Sequence, residues 1–105
     1  MRIFGLKNCD TCRKALKTLQ GAELIDVRDT PLDAVFLADR LAEFGSALIN
    51  TRSTMWRGLA PEDQTRPPLE LLAENLRLMK RPLIETNGRF HLGWTKDVQT
   101  ELGVI

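Results

Sequence analysis

No apolar run in this 105-residue sequence approaches the roughly 20 residues that a helix needs to cross a bilayer. The first residues, Met1-Arg2-Ile3-Phe4-Gly5, lack the apolar stretch of a secretory signal. A cytoplasmic protein without membrane contact is expected. Neither sign of charge dominates, since 15 Lys and Arg stand against 14 Asp and Glu for a net charge of +1. That balance removes any general attraction to polyanions. With no helix-turn-helix pattern and no strongly basic stripe, direct nucleic-acid binding is not expected. Low-complexity tracts and internal repeats are lacking too. Histidine is reduced to His91 and cysteine to Cys9 and Cys12. A four-ligand structural zinc would need His91 and a further ligand besides the two cysteines. No metal site within one chain is expected; a zinc shared by two chains stays open.

What is present suits one domain over residues 1–105 with a single core. Apolar residues make up 43% and charged residues 28%, which is ordinary globular composition. The charges are unevenly placed. Arg2, Lys7, Arg13, Lys14 and Lys17 crowd the first 20 residues against Asp10 alone. They read either as a solvated helix face or as a basic rim around the cysteine pair.

Met1 to Gly5 reads as a first strand. Cys12, Ala15, Leu16 and Leu19 then fall at helical spacing, with Gly21 to end the helix. Ala22 to Val27 is a second strand. Thr30-Pro31-Leu32-Asp33 predicts a helix start with Thr30 as the cap, running to about Phe44 and stopping at Gly45. Asn50-Thr51-Arg52-Ser53 predicts a turn among short helical pieces. Arg66-Pro67-Pro68 breaks any helix. From Pro68, Leu69, Leu72, Ala73, Leu76 and Met79 form an apolar face, closed by Lys80-Arg81. Pro82 to Glu85 and Phe90 to Leu92 are strands joined by an Asn87-Gly88 hairpin turn. Thr95 caps a last helix carrying Val98 and Leu102. The class is therefore α/β: a thioredoxin-like βαβ–ββα arrangement on a mixed four-stranded sheet, with a helical insertion over about residues 31–79.

The stretch "KNCDTCRKAL" puts both cysteines at the start of the first helix. A thiol reacts as its thiolate, with an ordinary pKa of about 8.5. Free N–H groups and the positive end of the macrodipole stabilise that anion at a helix N-terminus. Cys9, just before the helix, is the candidate nucleophile. Cys12, three residues on, is placed to resolve a mixed disulfide. Lys7 and Arg13 add positive charge nearby. Metal ligation and inert burial are the competing readings of the pair. In a reducing compartment a structural disulfide would be unusual. His91 reads as a strand-surface residue. Trp56 and Trp94 read as packing anchors or as walls of a groove.

Three ordered segments, "GLKNCDTCRKAL", "LINTRSTMWRGL" and "RPLIETNGRF", together resemble the arsenate reductase (ArsC)/Spx family, most closely its YffB-like branch. The resemblance spans the whole chain. It implies a thioredoxin-like fold with a helical insertion, and Cys9 in the place of the catalytic cysteine. The arsenate reductases carry serine where this chain has Cys12. Arg81-Pro82 matches the family's Arg-Pro pair, whose proline is usually cis. Of the three arginines that hold the oxyanion in arsenate reductases, Arg81 has a direct counterpart. Arg52 lies about two residues from the second, and Gly93-Trp94 stands where the third would be.

The resulting expectation is a glutathione-dependent thiol–disulfide reductase. Its site would comprise Cys9, Cys12 and Arg81, with Lys7, Arg52, Arg81 and Pro82 toward the substrate. Glutathione, or a small oxidised compound, would be the partner, with glutathione a co-substrate rather than a bound cofactor. Two alternatives follow from the same resemblance. One is a Spx-like redox-sensing regulator that contacts the RNA polymerase α subunit; the other is true arsenate reduction.

Overall fold

Ile3, Phe4 and Gly5 are all buried, so the first strand, β1 (Arg2–Gly5), does not alternate between core and solvent. A strand enclosed on both faces belongs in the middle of a sheet, and β1 lies there. The structure is a computed structural model describing all of residues 1–105. After β1 come α1 (Asp10–Thr18), β2 (Glu23–Asp26), α2 (Ala34–Phe44), α3 (Thr54–Arg57), α4 (Pro61–Gln64), α5 (Pro68–Glu74), β3 (Leu83–Thr86), β4 (Arg89–Leu92) and α6 (Lys96–Glu101). Single 3-10 turns form at Gly45–Leu48 and Leu76–Leu78. No helix is long and apolar enough to cross a membrane.

The chain divides into two compact units, Met1–Thr30 with Arg81–Ile105, and Pro31–Lys80. The first unit carries a mixed four-stranded sheet in the order β2-β1-β3-β4. β1 pairs in parallel with β2 and antiparallel with β3, and β3 pairs antiparallel with β4. This is the βαβ–ββα sheet expected from the sequence. Ile3 faces Leu24 on one side and Ile84 on the other. Ile3 and Ile84 join Ala15 and Leu19 of α1 and Val98 of α6 in one buried cluster, with Trp94 packed against it. Trp94 is thus a packing anchor. Asn87 (φ 51°) and Gly88 (φ 78°) form the β3–β4 turn, where left-handed backbone at both positions matches the strand twist. Thr95 caps α6 through its hydroxyl, which accepts the Val98 N–H at 3.2 Å.

In the second unit, α2 packs on α5. α2 begins at Ala34 with Asp33 as its cap, accepting the Phe36 N–H at 2.8 Å. This corrects the sequence reading, which made Thr30 the cap and Pro31 the first helical residue. Thr30 is held in a turn at the end of β2, its N–H donating to the Asp26 carbonyl at 2.9 Å. The long helix expected from Pro68 to Met79 is also divided. α5 ends at Glu74 because Asn75 adopts extended backbone (φ −150°, ψ 97°). The Asn75 side chain replaces the helical bonds, accepting from Arg77 N–H at 3.0 Å and donating to Met55 Sδ at 2.8 Å. Leu71 and Leu72 are consequently the buried pair of α5, while Ala73 is exposed. Lys80-Arg81 does not close a helix. Met79 forms a β-bridge with Ile49, and Lys80 N–H donates to the Leu48 carbonyl at 2.7 Å.

Candidate active site

Helix α1 opens with Cys9 in the capping position, where serine, threonine or aspartate is the common choice. Extended backbone at Cys9 (φ −89°, ψ 119°) turns its sulfur back over the first turn. There it accepts the Cys12 N–H at 3.4 Å. The Cys9 N–H donates to the Leu6 carbonyl at 3.1 Å, and its carbonyl accepts the Arg13 N–H at 3.0 Å. The sulfur therefore sits on one of the donors that a helix leaves unsatisfied. Both cysteines are free thiols; Cys9 is half-buried and Cys12 fully buried.

A cation enters from the later, C-terminal segment of the first unit. The Arg81-Pro82 bond is cis, and the Pro82 carbonyl accepts the Gly93 N–H at 2.8 Å. From that position the Arg81 guanidinium hydrogen-bonds the Cys9 sulfur. Partial burial is the largest single influence on the Cys9 thiol and resists its ionisation. The Cys12 N–H, the Cys12 thiol, and the hydrogen bond and charge of Arg81 together outweigh it, so the Cys9 pKa lies below its ordinary value. Cys12 goes the other way. Burial pushes its thiol up to about 12, against a hydrogen bond with the Leu6 backbone, and the neighbouring Cys9 sulfur reinforces the rise. The lowered Cys9 pKa favours its thiolate, beside a buried thiol that donates to it.

Lys7 and Arg13, the two basic residues expected to act near the cysteines, are paired with acids. Lys7 Nζ meets Asp29 Oδ2 at 3.3 Å, both side chains being well exposed. Arg13 is bound to Asp10 within α1. None of the expected basic rim is among the groups that act on Cys9; the charge that does comes from Arg81. Lys7 contributes chiefly through its backbone. Its N–H donates at 2.9 Å to Oδ2 of Asp26, a buried carboxylate at the end of β2. Arg28 grips that carboxylate with Nε at 3.1 Å and Nη2 at 2.9 Å. The sequence reading overlooked Asp26 and Arg28. An acid set between the apolar Ile25 and Val27, at the end of the strand "ELID", was the available signal.

Arg52 belongs to the second unit, in the turn before α3, where its N–H donates to Asn50 Oδ1 at 3.2 Å. It lines an open cleft of about 470 Å³ with Ser46, Asn50, Thr51 and Lys80. His91 lies on β4 and its Nδ1 is 2.9 Å from Glu101 Oε2 of α6.

A cysteine capping the first helix of a mixed βαβ–ββα sheet, with the arginine of a cis Arg-Pro pair acting on its sulfur, defines a thioredoxin-like thiol site. The ArsC family profile matches residues 4–102, and the chain belongs to that family. An uncharacterized protein of Haemophilus influenzae is 40% identical over 104 residues, covering 90% of either chain. The global transcriptional regulator Spx of Streptococcus agalactiae is 31% identical over 105 residues, covering 90% of this chain and 77% of Spx. The solved structure of a YffB protein superposes with a TM-score of 0.86 at 26% identity, covering 95% of this chain and 96% of that one.

Proposed function

We propose that this protein is a glutathione-dependent thiol–disulfide reductase. The observation that carries the reading is the Cys9 sulfur, held by the α1 N-terminus and by Arg81. That setting favours the thiolate at neutral pH, and the thiolate is the attacking species. Cys9 attacks a glutathionylated substrate, RS–SG, at the glutathione sulfur. The Cys9–SG bond forms as the RS–SG bond breaks, and RS⁻ leaves and takes up a proton. A second glutathione thiolate attacks the Cys9-bound sulfur and releases oxidised glutathione and the Cys9 thiolate. The net change is RS–SG + GSH → RSH + GSSG.

Cys12 offers an internal route, closing a Cys9–Cys12 disulfide that two glutathiones would then reduce. Its full burial and raised pKa disfavour its thiolate, so the external thiol is the better-placed resolver. Arg81 acts on the sulfur on which substrate would react, with Pro82 next to it in the chain. Arg81 and Lys7 of the first unit are the cations assigned to a substrate carboxylate, with Lys7 first having to leave Asp29. Arsenate is a weaker candidate, because the position that the resemblance gives to the third oxyanion arginine holds Trp94, which packs against the core cluster.

Turnover of a glutathione mixed disulfide and of arsenate, side by side, tests the reading with wild type and Cys9→Ser. Loss of mixed-disulfide turnover in Cys9→Ser is the expected result; wild-type turnover of arsenate alone would replace it. The likeness to Spx favours a second reading, a redox-sensing regulator that contacts the RNA polymerase α subunit. Capture of the α subunit by oxidised but not reduced protein, without thiol turnover, would select it.

A further inference from the structure

The carboxylate of Asp26 joins two loops of the first unit. Its side chain is 1% exposed and turned toward the loop between β1 and α1. There Oδ2 accepts the Lys7 N–H at 2.9 Å. Arg28 holds the same group through its side chain and through its own N–H at 2.9 Å. The Asp26 backbone is fixed as well, since its carbonyl accepts from Asp29 at 3.0 Å and Thr30 at 2.9 Å. The charged groups around it are therefore Arg28, Asp29 and the Lys7 that pairs with Asp29. Those acting on Cys9 are Cys12 and Arg81.

Lys7 follows Leu6, and Leu6 meets both cysteines. The Leu6 carbonyl accepts the Cys9 N–H at 3.1 Å, and its backbone hydrogen-bonds the Cys12 sulfur. A connected path thus runs from Arg28 through Asp26 and the Leu6–Lys7 backbone to the thiol pair. Burying a carboxylate is costly, and a neutral acceptor would satisfy the Lys7 N–H alone. An ionised one gives shorter, stronger bonds to the loop and to the guanidinium together.

We propose that Asp26, oriented by Arg28, is the positioning residue for Cys9: by fixing the Lys7 amide it keeps the Cys9 sulfur on the Cys12 N–H in the first turn of α1. The proposal rests on the reading of Cys9 as the nucleophile. Asp26 acts through the Leu6–Lys7 backbone and takes no part in sulfur chemistry.

The test is the pH dependence of iodoacetamide reaction at Cys9, with mixed-disulfide turnover, in wild type, Asp26→Ala, Asp26→Asn and Arg28→Gln. In Asp26→Ala the Cys9 midpoint should rise. Its alkylation at neutral pH should fall roughly tenfold, within the 100-fold that a misplacement of about 1 Å can cost. kcat should fall with KM near wild type. Removing an anion without moving the sulfur would lower the midpoint, so the sign separates positioning from simple electrostatics. Asp26→Asn, which keeps an acceptor for Lys7, should retain most of the rate. A Cys9 midpoint that stays or falls in Asp26→Ala overturns the proposal. If Asp26→Ala does not fold, Arg28→Gln decides. Faster exchange of the Lys7 amide with a raised Cys9 midpoint supports the proposal, and no change in either overturns it. A wild-type Cys9 that titrates as an ordinary thiol removes the functional reading and this one with it. A depressed wild-type Cys9 with unmoved variants removes only this one.

Discussion

The Cys12 sulfur occupies the space that a side chain on Gly5 would need: a Cβ built there would overlap Cys12 Sγ and lie 3.4 Å from Cys12 Cβ. Gly5 ends the inner strand β1 and Cys12 lies in the first turn of α1, so the strand and helix meet at close approach under the site. Both residues are fully enclosed, and neither side can give way cheaply. Gly5→Ala should therefore destabilise the protein by about 1–3 kcal/mol, the usual cost of overpacking. Cys12→Ala removes the clashing sulfur. The double variant should recover part of the loss, and a double-mutant cycle from urea unfolding measures the coupling.

The two thiols should separate cleanly by reactivity. Cys9 is half-buried with a lowered pKa, and Cys12 is enclosed with its pKa pushed up to about 12. As pH rises through the depressed Cys9 value its thiolate forms, while Cys12 stays protonated well past neutrality. Iodoacetamide at neutral pH should modify Cys9 almost alone, as read by mass spectrometry. Preferential labelling of Cys12 would reverse the assigned roles. Cys12→Ser should keep glutathione-dependent turnover, because the external thiol closes the cycle.

Much of this arrangement is legible in the sequence because it depends on local rules. Strand–CxxC–helix, Asn87-Gly88 and Thr95 each announce their backbone geometry through residue type, and each forms as read. The misread helix boundaries involve competition between adjacent caps. Thr30 and Asp33 are both good caps, and the turn at Asp26 takes Thr30. Asn75 looked tolerable inside a helix, yet its bonds to Arg77 and Met55 favour a break. The site shows the same limit. Charge clustering near Cys9 was visible, but Asp10 and Asp29 pair with Arg13 and Lys7, and pairing of this kind depends on side-chain direction. Asp26 was missed because its partners, Lys7 N–H and Arg28, meet only once β1 and β2 are side by side.

Asp26 should also leave a mark on acid stability. Its hydrogen bonds, with Arg28 foremost, hold its carboxyl well below the usual range. In the unfolded chain it takes up a proton near an ordinary value of about 3.9. With the folded pKa depressed, its stabilising contribution is present above that unfolded value and is lost as pH falls below it toward the folded pKa. The Arg28 side chain is 45% exposed, so solvent screens part of the gain. Asp26→Asn should lower the urea midpoint at neutral pH and flatten its fall between about pH 4 and pH 2, the span below the unfolded value. An acid limb identical to wild type would show that Asp26 titrates normally in the fold.

The role of Arg81 can be separated from any contribution to folding. Arg81 follows Lys80 out of a β-bridge and not out of a helix, so a helix-end charge no longer explains it. Its guanidinium hydrogen-bonds the Cys9 sulfur and adds a positive charge there. Arginine stays ionised across the working range, so this stabilisation does not titrate away as a histidine's would. Losing one hydrogen bond to a charged group typically costs about 1.5 kcal/mol, or roughly tenfold in an equilibrium. Arg81→Ala should therefore raise the Cys9 midpoint and slow its alkylation at neutral pH by up to about that factor. Arg81→Lys, which restores a charge without the planar fork, should recover part of the rate. The urea midpoint should change little, because the sheet and its buried cluster of Ile3, Ala15, Leu19, Ile84 and Val98 do not include Arg81. A lowered urea midpoint with an unmoved Cys9 titration would make Arg81 structural and leave the thiolate to the N-terminus of α1 alone.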